Sequence, residues 1–166
     1  GVETAESWEL AIKNENAPAV FALTRQGLPT YREADPVNKT SLGAYILEEC
    51  EGDEPEITIF ASGSEVELAM EASEQLGSGV RVVSVPCMDL FWEQDGAYIE
   101  SLLCNKSIKV AVEAGIRQSW DRIIGGHGIF IGMDGFGASA PASDLFKHFG
   151  ITTDAIVAAV KNKQSK

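Results

Sequence analysis

The sequence predicts an α/β domain: a three-layer open sheet, mostly parallel, with four parallel strands and one antiparallel strand at its edge. Three observations carry this prediction. A strand–helix–strand unit is written out between Ile57 and Val85. Further apolar runs alternate with amphipathic segments towards the carboxyl end. A polar turn, Glu51-Gly-Asp-Glu-Pro55, joins two strand candidates too closely for a parallel crossover, which makes one of them antiparallel.

Thr4 to Lys13 predicts a helix capped by Thr4, with Trp8, Ala11 and Ile12 as a short apolar stripe. Pro18 to Thr24 predicts a buried strand that leads into Arg25-Gln-Gly-Leu-Pro29. Residues 31–42 carry Pro36, several charges and little apolar pattern, and read as a linker. A lone helix and strand would leave two faces uncovered. Residues 1–30 are therefore expected to be the tail, helix plus strand, of a preceding domain, and residues 43–166 a domain of their own.

Gly43 to Cys50 predicts the antiparallel strand, expected to pair with the Ile57 strand across the polar turn. Ile57 to Ala61 is β-branched and aromatic, as a buried strand requires. After Gly63, residues Val66, Ala69, Met70 and Ser73 recur at helical spacing, with Ser64 as expected N-cap and Glu67 completing a capping box. Gly77 and Gly79 stop that helix, and Val80 to Val85 is the next strand. A loop with aromatic anchors, Pro86 to Asp95, passes into a helix ending at Leu103. Lys106 to Glu113 is a strand, Arg117 to Ile124 a helix, and Gly128 to Ile131 a short strand opening into the glycine-rich loop Gly132 to Gly137. Pro141 starts a helix that Gly150 ends, and Thr152 or Thr153 caps the last one.

Composition excludes several functions. A formal net charge of −12 opposes nucleic-acid backbones and anionic membranes, so neither is expected as a partner. Cys50, Cys87 and Cys104 are odd in number and form no Cys-x-x-Cys pair, which points to a reducing compartment rather than a disulfide framework or zinc site. The cytoplasm is expected, with a plastid or peroxisome-like organelle as alternatives. His127 and His148 have no partner at metal-ligand spacing.

Chemistry in an open parallel sheet belongs beyond the carboxyl ends of its strands. The loops there are Ser62-Gly-Ser64, Pro86 to Asp89, Ala114 to Ile116 and Gly132 to Ser139. The helix beginning at Ser64 would aim free N–H groups at an anion, although neither a dinucleotide fingerprint nor a P-loop is present. Glu113 and Asp89 are a candidate carboxylate pair for acid–base work, or helix caps. Arg25, directly after a strand, is placed either to grip a phosphate with two hydrogen bonds or to form a structural salt bridge. No nucleophile has a neighbouring base, and the domain from 43 to 166 reads as catalytically silent.

Six strings, Leu-Thr-Arg-Gln-Gly-Leu-Pro29, Ala-Ser-Gly-Ser-Glu-Val-Glu-Leu-Ala69, Val-Arg-Val-Val-Ser-Val-Pro86, Leu-Phe-Trp-Glu-Gln-Asp95, Val-Glu-Ala-Gly115 and Gly-Met-Asp-Gly-Phe-Gly-Ala-Ser-Ala-Pro141, closely resemble the carboxyl-terminal region of transketolase in order and spacing. Cys87-Met88 after Pro86 departs from the pattern. The resemblance implies that residues 1–30 end a pyrimidine-binding domain and that 43–166 is the carboxyl-terminal domain. It implies a homodimeric parent that uses thiamine diphosphate and a divalent metal (Mg or Ca) to move a two-carbon ketol unit from a ketose phosphate to an aldose phosphate, as in the pentose phosphate pathway and the Calvin cycle. It implies a substrate-phosphate role for Arg25, and no catalytic, cofactor or metal residue elsewhere in the chain. The fragment itself is then expected to be inactive, with a structural and dimer-contact role. The alternatives are a regulatory module holding an anion or nucleotide, or the carboxyl-terminal domain of a related thiamine enzyme such as a 2-oxoacid dehydrogenase component or deoxyxylulose-phosphate synthase.

Overall fold

The computed structural model describes residues 1–165. Five strands form one sheet in the order β1-β3-β2-β4-β5. They are β1 (Tyr45–Glu48), β2 (Ile57–Ala61), β3 (Val80–Ser84), β4 (Ile108–Ile116) and β5 (Ile129–Met133). β2, β3, β4 and β5 are mutually parallel, and β1 runs antiparallel at the edge. The α/β class, the open sheet and the single antiparallel edge strand are as the sequence predicts.

The neighbour of β1 is not. It pairs with β3, Tyr45 opposite Ser84 and Ile46 opposite Val83, rather than with β2. β2 is flanked on both edges, by β3 and β4, each in a five-residue parallel register. The polar connection therefore steps across the end of β3: the Glu51 amide donates to the Ser78 carbonyl at 2.7 Å and the Glu56 amide to the Gly79 carbonyl at 2.9 Å. Strands are about 4.8 Å apart, so this connection easily spans one of them.

Alternation along the strands feeds two cores. Ile57, Ile59, Ala61, Val82, Val110 and Val112 face one side, under α2 (Glu65–Leu76) and α7 (Thr153–Gln164), which contribute Ala69, Ala72, Ile156 and Val160. Phe60, Val83 and Ala111 face the other side, under Phe91 of α3 (Met88–Trp92), Leu102 of α4 (Gly96–Leu103) and Ile123 of α5 (Asp121–Ile124). The helix predicted for 117–124 is split: Arg117–Trp120 is a 3-10 turn, and α5 is a single α-turn. α6 (Ala142–Phe149) follows Pro141, and its Phe146 and Phe149 lie against the first core.

Caps explain most boundaries. Asp95 and Thr152 each accept a backbone N–H three residues on. Ser64 does not: it is itself helical, and its hydroxyl donates to Glu65 at 2.8 Å, so the predicted capping box is not formed. Gly43, just before β1, has φ +75°, and a Cβ there would fall 2.1 Å from the Phe91 amide nitrogen. Only glycine allows the chain this close to the start of α3.

The amino-terminal arm differs from the prediction. α1 (Val2–Lys13) begins two residues before Thr4. Its apolar stripe faces solvent, with Trp8 51% and Ile12 75% exposed, while Glu6 is buried. Pro18 to Thr24, predicted as a buried strand, pairs with no strand among the described residues, and its Val20 is 93% exposed. A strand needs a neighbouring edge to satisfy its amides and cover its side chains, and this sheet offers none there.

Candidate functional site

The arm is fastened to the sheet by carboxylates. Glu6 accepts from Arg32 Nη1 at 3.0 Å, from the Thr40 amide at 3.0 Å and from the Thr40 hydroxyl at 2.8 Å. Burial works against its charge, but these bonds prevail and hold the carboxyl down at about 2. Arg32 also donates to the Tyr45 hydroxyl at 3.0 Å and lies over that ring, 4.8 Å from its centroid. Glu3 accepts from Ser84, at the carboxyl end of β3, at 3.1 Å. Burial raises the Glu3 carboxyl above its ordinary value.

Between this arm and the carboxyl ends of the strands lies an open cleft of about 1330 Å³. Its floor is where β2 and β4 lie side by side and the chain departs in opposite directions, to β3 on one side and to β5 on the other. Such a switch point is the usual crevice of an open α/β sheet. Ser62, just past β2, donates to Glu113 Oε2 of β4 at 2.8 Å. Ser64 donates to Glu65 Oε1 at 2.8 Å. Burial raises both glutamates. Glu65 reaches about 7, with the nearby Glu113 charge adding to the effect. The Trp120 indole N–H also borders Glu113 and tempers the shift there.

The structure thus gives Glu113 a carboxyl neighbour, but it is Glu65 rather than Asp89. Asp89 is exposed on the cleft wall, at the first turn of α3. Glu65 escaped the sequence because the helix pattern puts it with Glu67 and Glu71 on the polar face, whereas the first turn of α2 buries it beneath the crevice, 4% exposed. The start of α2 faces the Glu65 carboxyl, which disfavours an anion there. Arg25 is exposed on the arm and forms no ion pair among the described residues. Its neighbours Thr24 and Leu28 line the cleft. The glycine-rich loop after β5 carries a fully exposed Phe136. Among the described residues no three His, Cys, Asp or Glu side chains converge as a metal cluster. Among the described residues no helix is long and apolar enough to cross a membrane.

Residues 43–152 match the family model of the transketolase-like TK C-terminal domain. A transketolase from Rhodobacter capsulatus is 50% identical over 97% of this chain and 25% of its own length. One from Sinorhizobium medicae is 49% identical over 95% of this chain and 23% of its own. Among solved structures, transketolase from Leishmania mexicana superposes with a TM-score of 0.86 at 36% identity, covering 97% of this chain and 23% of that one. Transketolase from Campylobacter jejuni gives 0.84 at 34% identity, covering 97% and 24%. The chain spans about a quarter of the length of the relatives it matches.

Proposed function

The chain belongs to the transketolase-like C-terminal domain family, and from that premise we propose that it is the carboxyl-terminal quarter of a transketolase. The whole enzyme transfers a two-carbon ketol unit from a ketose phosphate to an aldose phosphate. It does so as a homodimer carrying thiamine diphosphate and a divalent metal. The observation that carries the proposal is near-complete coverage of this chain at about half identity by transketolases four times as long.

The chain's own part is structural. Residues 43–166 are a carboxyl-terminal domain that contributes to the dimer, residues 31–42 the link, and residues 1–30 the end of the pyrimidine-binding domain. The exposed stripe of α1 and the unpaired segment from Pro18 to Thr24 support that division, since both present apolar surface that a further domain would cover. Arg25 binds the substrate phosphate. Its exposure and its lack of an ion pair among the described residues support the role, because a guanidinium committed to a carboxylate has fewer donors to offer. The cytoplasm is the proposed compartment, supported by three free cysteines.

The test has two parts. The chain alone gives no ketol transfer and no heat of thiamine diphosphate binding in calorimetric titration, and saturable binding would refute the assignment. In the full-length enzyme, Arg25→Ala raises KM for phosphorylated substrates by about tenfold to a hundredfold, the size of a charged hydrogen bond lost, and leaves free sugars unaffected. Equal loss for both would remove the phosphate role.

A further inference from the structure

Arg25 sits on a stretch with little to hold it. Upstream, Phe21 stacks on Trp8, with ring centroids 4.7 Å apart and planes inclined by 17°. Downstream, Arg32 is fixed by Glu6 and Tyr45. Between these two anchorages one hydrogen bond is made among the described residues: the Gln26 amide donates to the Thr24 hydroxyl at 3.2 Å. A threonine hydroxyl that accepts from the amide two residues on closes a small ring around the residue between them, and does locally what a backbone turn bond does. The residue enclosed is Arg25. Thr24 lines the cleft, and Arg25 stands exposed at the corner of the turn.

We propose that Thr24 is a positioning residue for the substrate phosphate: its hydroxyl holds the turn that presents Arg25. The inference rests on the phosphate role proposed above for Arg25, and adds which group sets that arginine's place. A guanidinium grips a phosphate best through two parallel bonds, which demand a defined approach. A loosely held backbone beneath it loses its freedom at each binding event, and affinity falls accordingly. The Thr24 hydroxyl removes part of that loss in advance. It acts through Arg25 and not on the sugar. Threonine suits the place for two reasons. Its β-branch favours the extended backbone that leads into the turn, and its oxygen is the acceptor that valine, of the same shape, lacks.

The test is a double-mutant cycle in the full-length enzyme, read as the ratio of KM for a phosphorylated aldose to KM for the corresponding free aldose. Thr24→Val raises this ratio about threefold to tenfold, the range expected for one neutral hydrogen bond. Thr24→Ser, which returns the acceptor, restores it. In an Arg25→Ala background Thr24→Val adds nothing, because the group it positions is gone. An unchanged ratio in Thr24→Val, a ratio raised as much by Thr24→Ser, or a full further rise on top of Arg25→Ala would overturn the assignment. Each readout is a ratio within one variant, so a smaller fraction of folded enzyme does not imitate it. A phosphate-specific loss in Arg25→Ala with none in Thr24→Val removes Thr24 and leaves Arg25 in place. No phosphate-specific loss in Arg25→Ala removes both.

Discussion

Glu6 on the arm and Glu65 at the first turn of α2 are the same side chain at similar solvent exposure, 8% and 4%, yet their carboxyls settle on opposite sides of the ordinary value. Desolvation pushes both upward. Glu6 overcomes it with a guanidinium and two donors from Thr40, and ends at about 2. Glu65 has the Ser64 hydroxyl, backbone donors at its own position and at Ala114, and a like-charged neighbour, but no cation among the described residues, and burial carries it to about 7. Depth and partners together decide ionisation: Glu65 lies among more protein than Glu6 does, and it has no guanidinium to offset the loss of water. One carboxyl is a finished fastening. The other has no cation among the described residues to hold its charge.

The sharpest way to break this contrast is to remove the cation. Arg32→Ala leaves Glu6 charged, buried and unpaired, and should cost about 3–5 kcal/mol in denaturant unfolding of the arm. The Glu6 carboxyl, followed by carbon NMR, should then titrate well above its present value. If it stays near 2, Thr40 rather than Arg32 sets it.

The next effect is on pH. Glu65 has a folded value above the unfolded one, so the native state holds its proton longer and stability falls as pH rises from about 4.5 through 7. From this group, roughly 1–3 kcal/mol should disappear between pH 5 and pH 8. Glu113 is raised too and acts in the same direction, so Glu65→Gln flattens the slope without abolishing it. Glu6 has the reverse sign. Its stabilisation is complete above about 4.5 and is lost as pH falls toward 2, so hydrogen exchange in α1 should accelerate before exchange in β2. A pH profile unchanged by Glu65→Gln would show that its burial is not maintained in solution.

The smallest change is Thr40→Ala. It removes the hydroxyl donor to Glu6 but keeps the backbone N–H, and should cost about 1 kcal/mol with a slight rise of the Glu6 carboxyl.

Most of the body was legible because its local signals agree. The run from Ile57 to Val85 has strand chemistry, helical spacing and glycine stops in the order a βαβ unit needs, and the structure follows it. Strand adjacency was less legible. A short connection fixes the direction of β1, but whether it lies beside β2 or β3 depends on long-range pairing that no local pattern encodes. The site was half visible. Glu113 follows the last residue of β4 that pairs with β2, close enough to the strand end that sequence position marks it. Glu65 and the Trp120 N–H acquire their meaning from a crevice formed by segments about fifty residues apart. The stretch from Pro18 to Thr24 was misread in the opposite sense: its composition suits a strand, and the missing ingredient is an edge to join.

No backbone–backbone hydrogen bond among the described residues involves residues 15–37, although α1 on one side and the Arg32 and Thr40 anchors on the other are tied down. Gly43, wedged against Phe91, leaves no slack at the threshold of the sheet. The stretch between these anchorages is strung like a bowstring, with Phe21 stacked on Trp8 and Arg25 near its midpoint. A stretch mounted this way can open at little cost to the stability of the body beneath it.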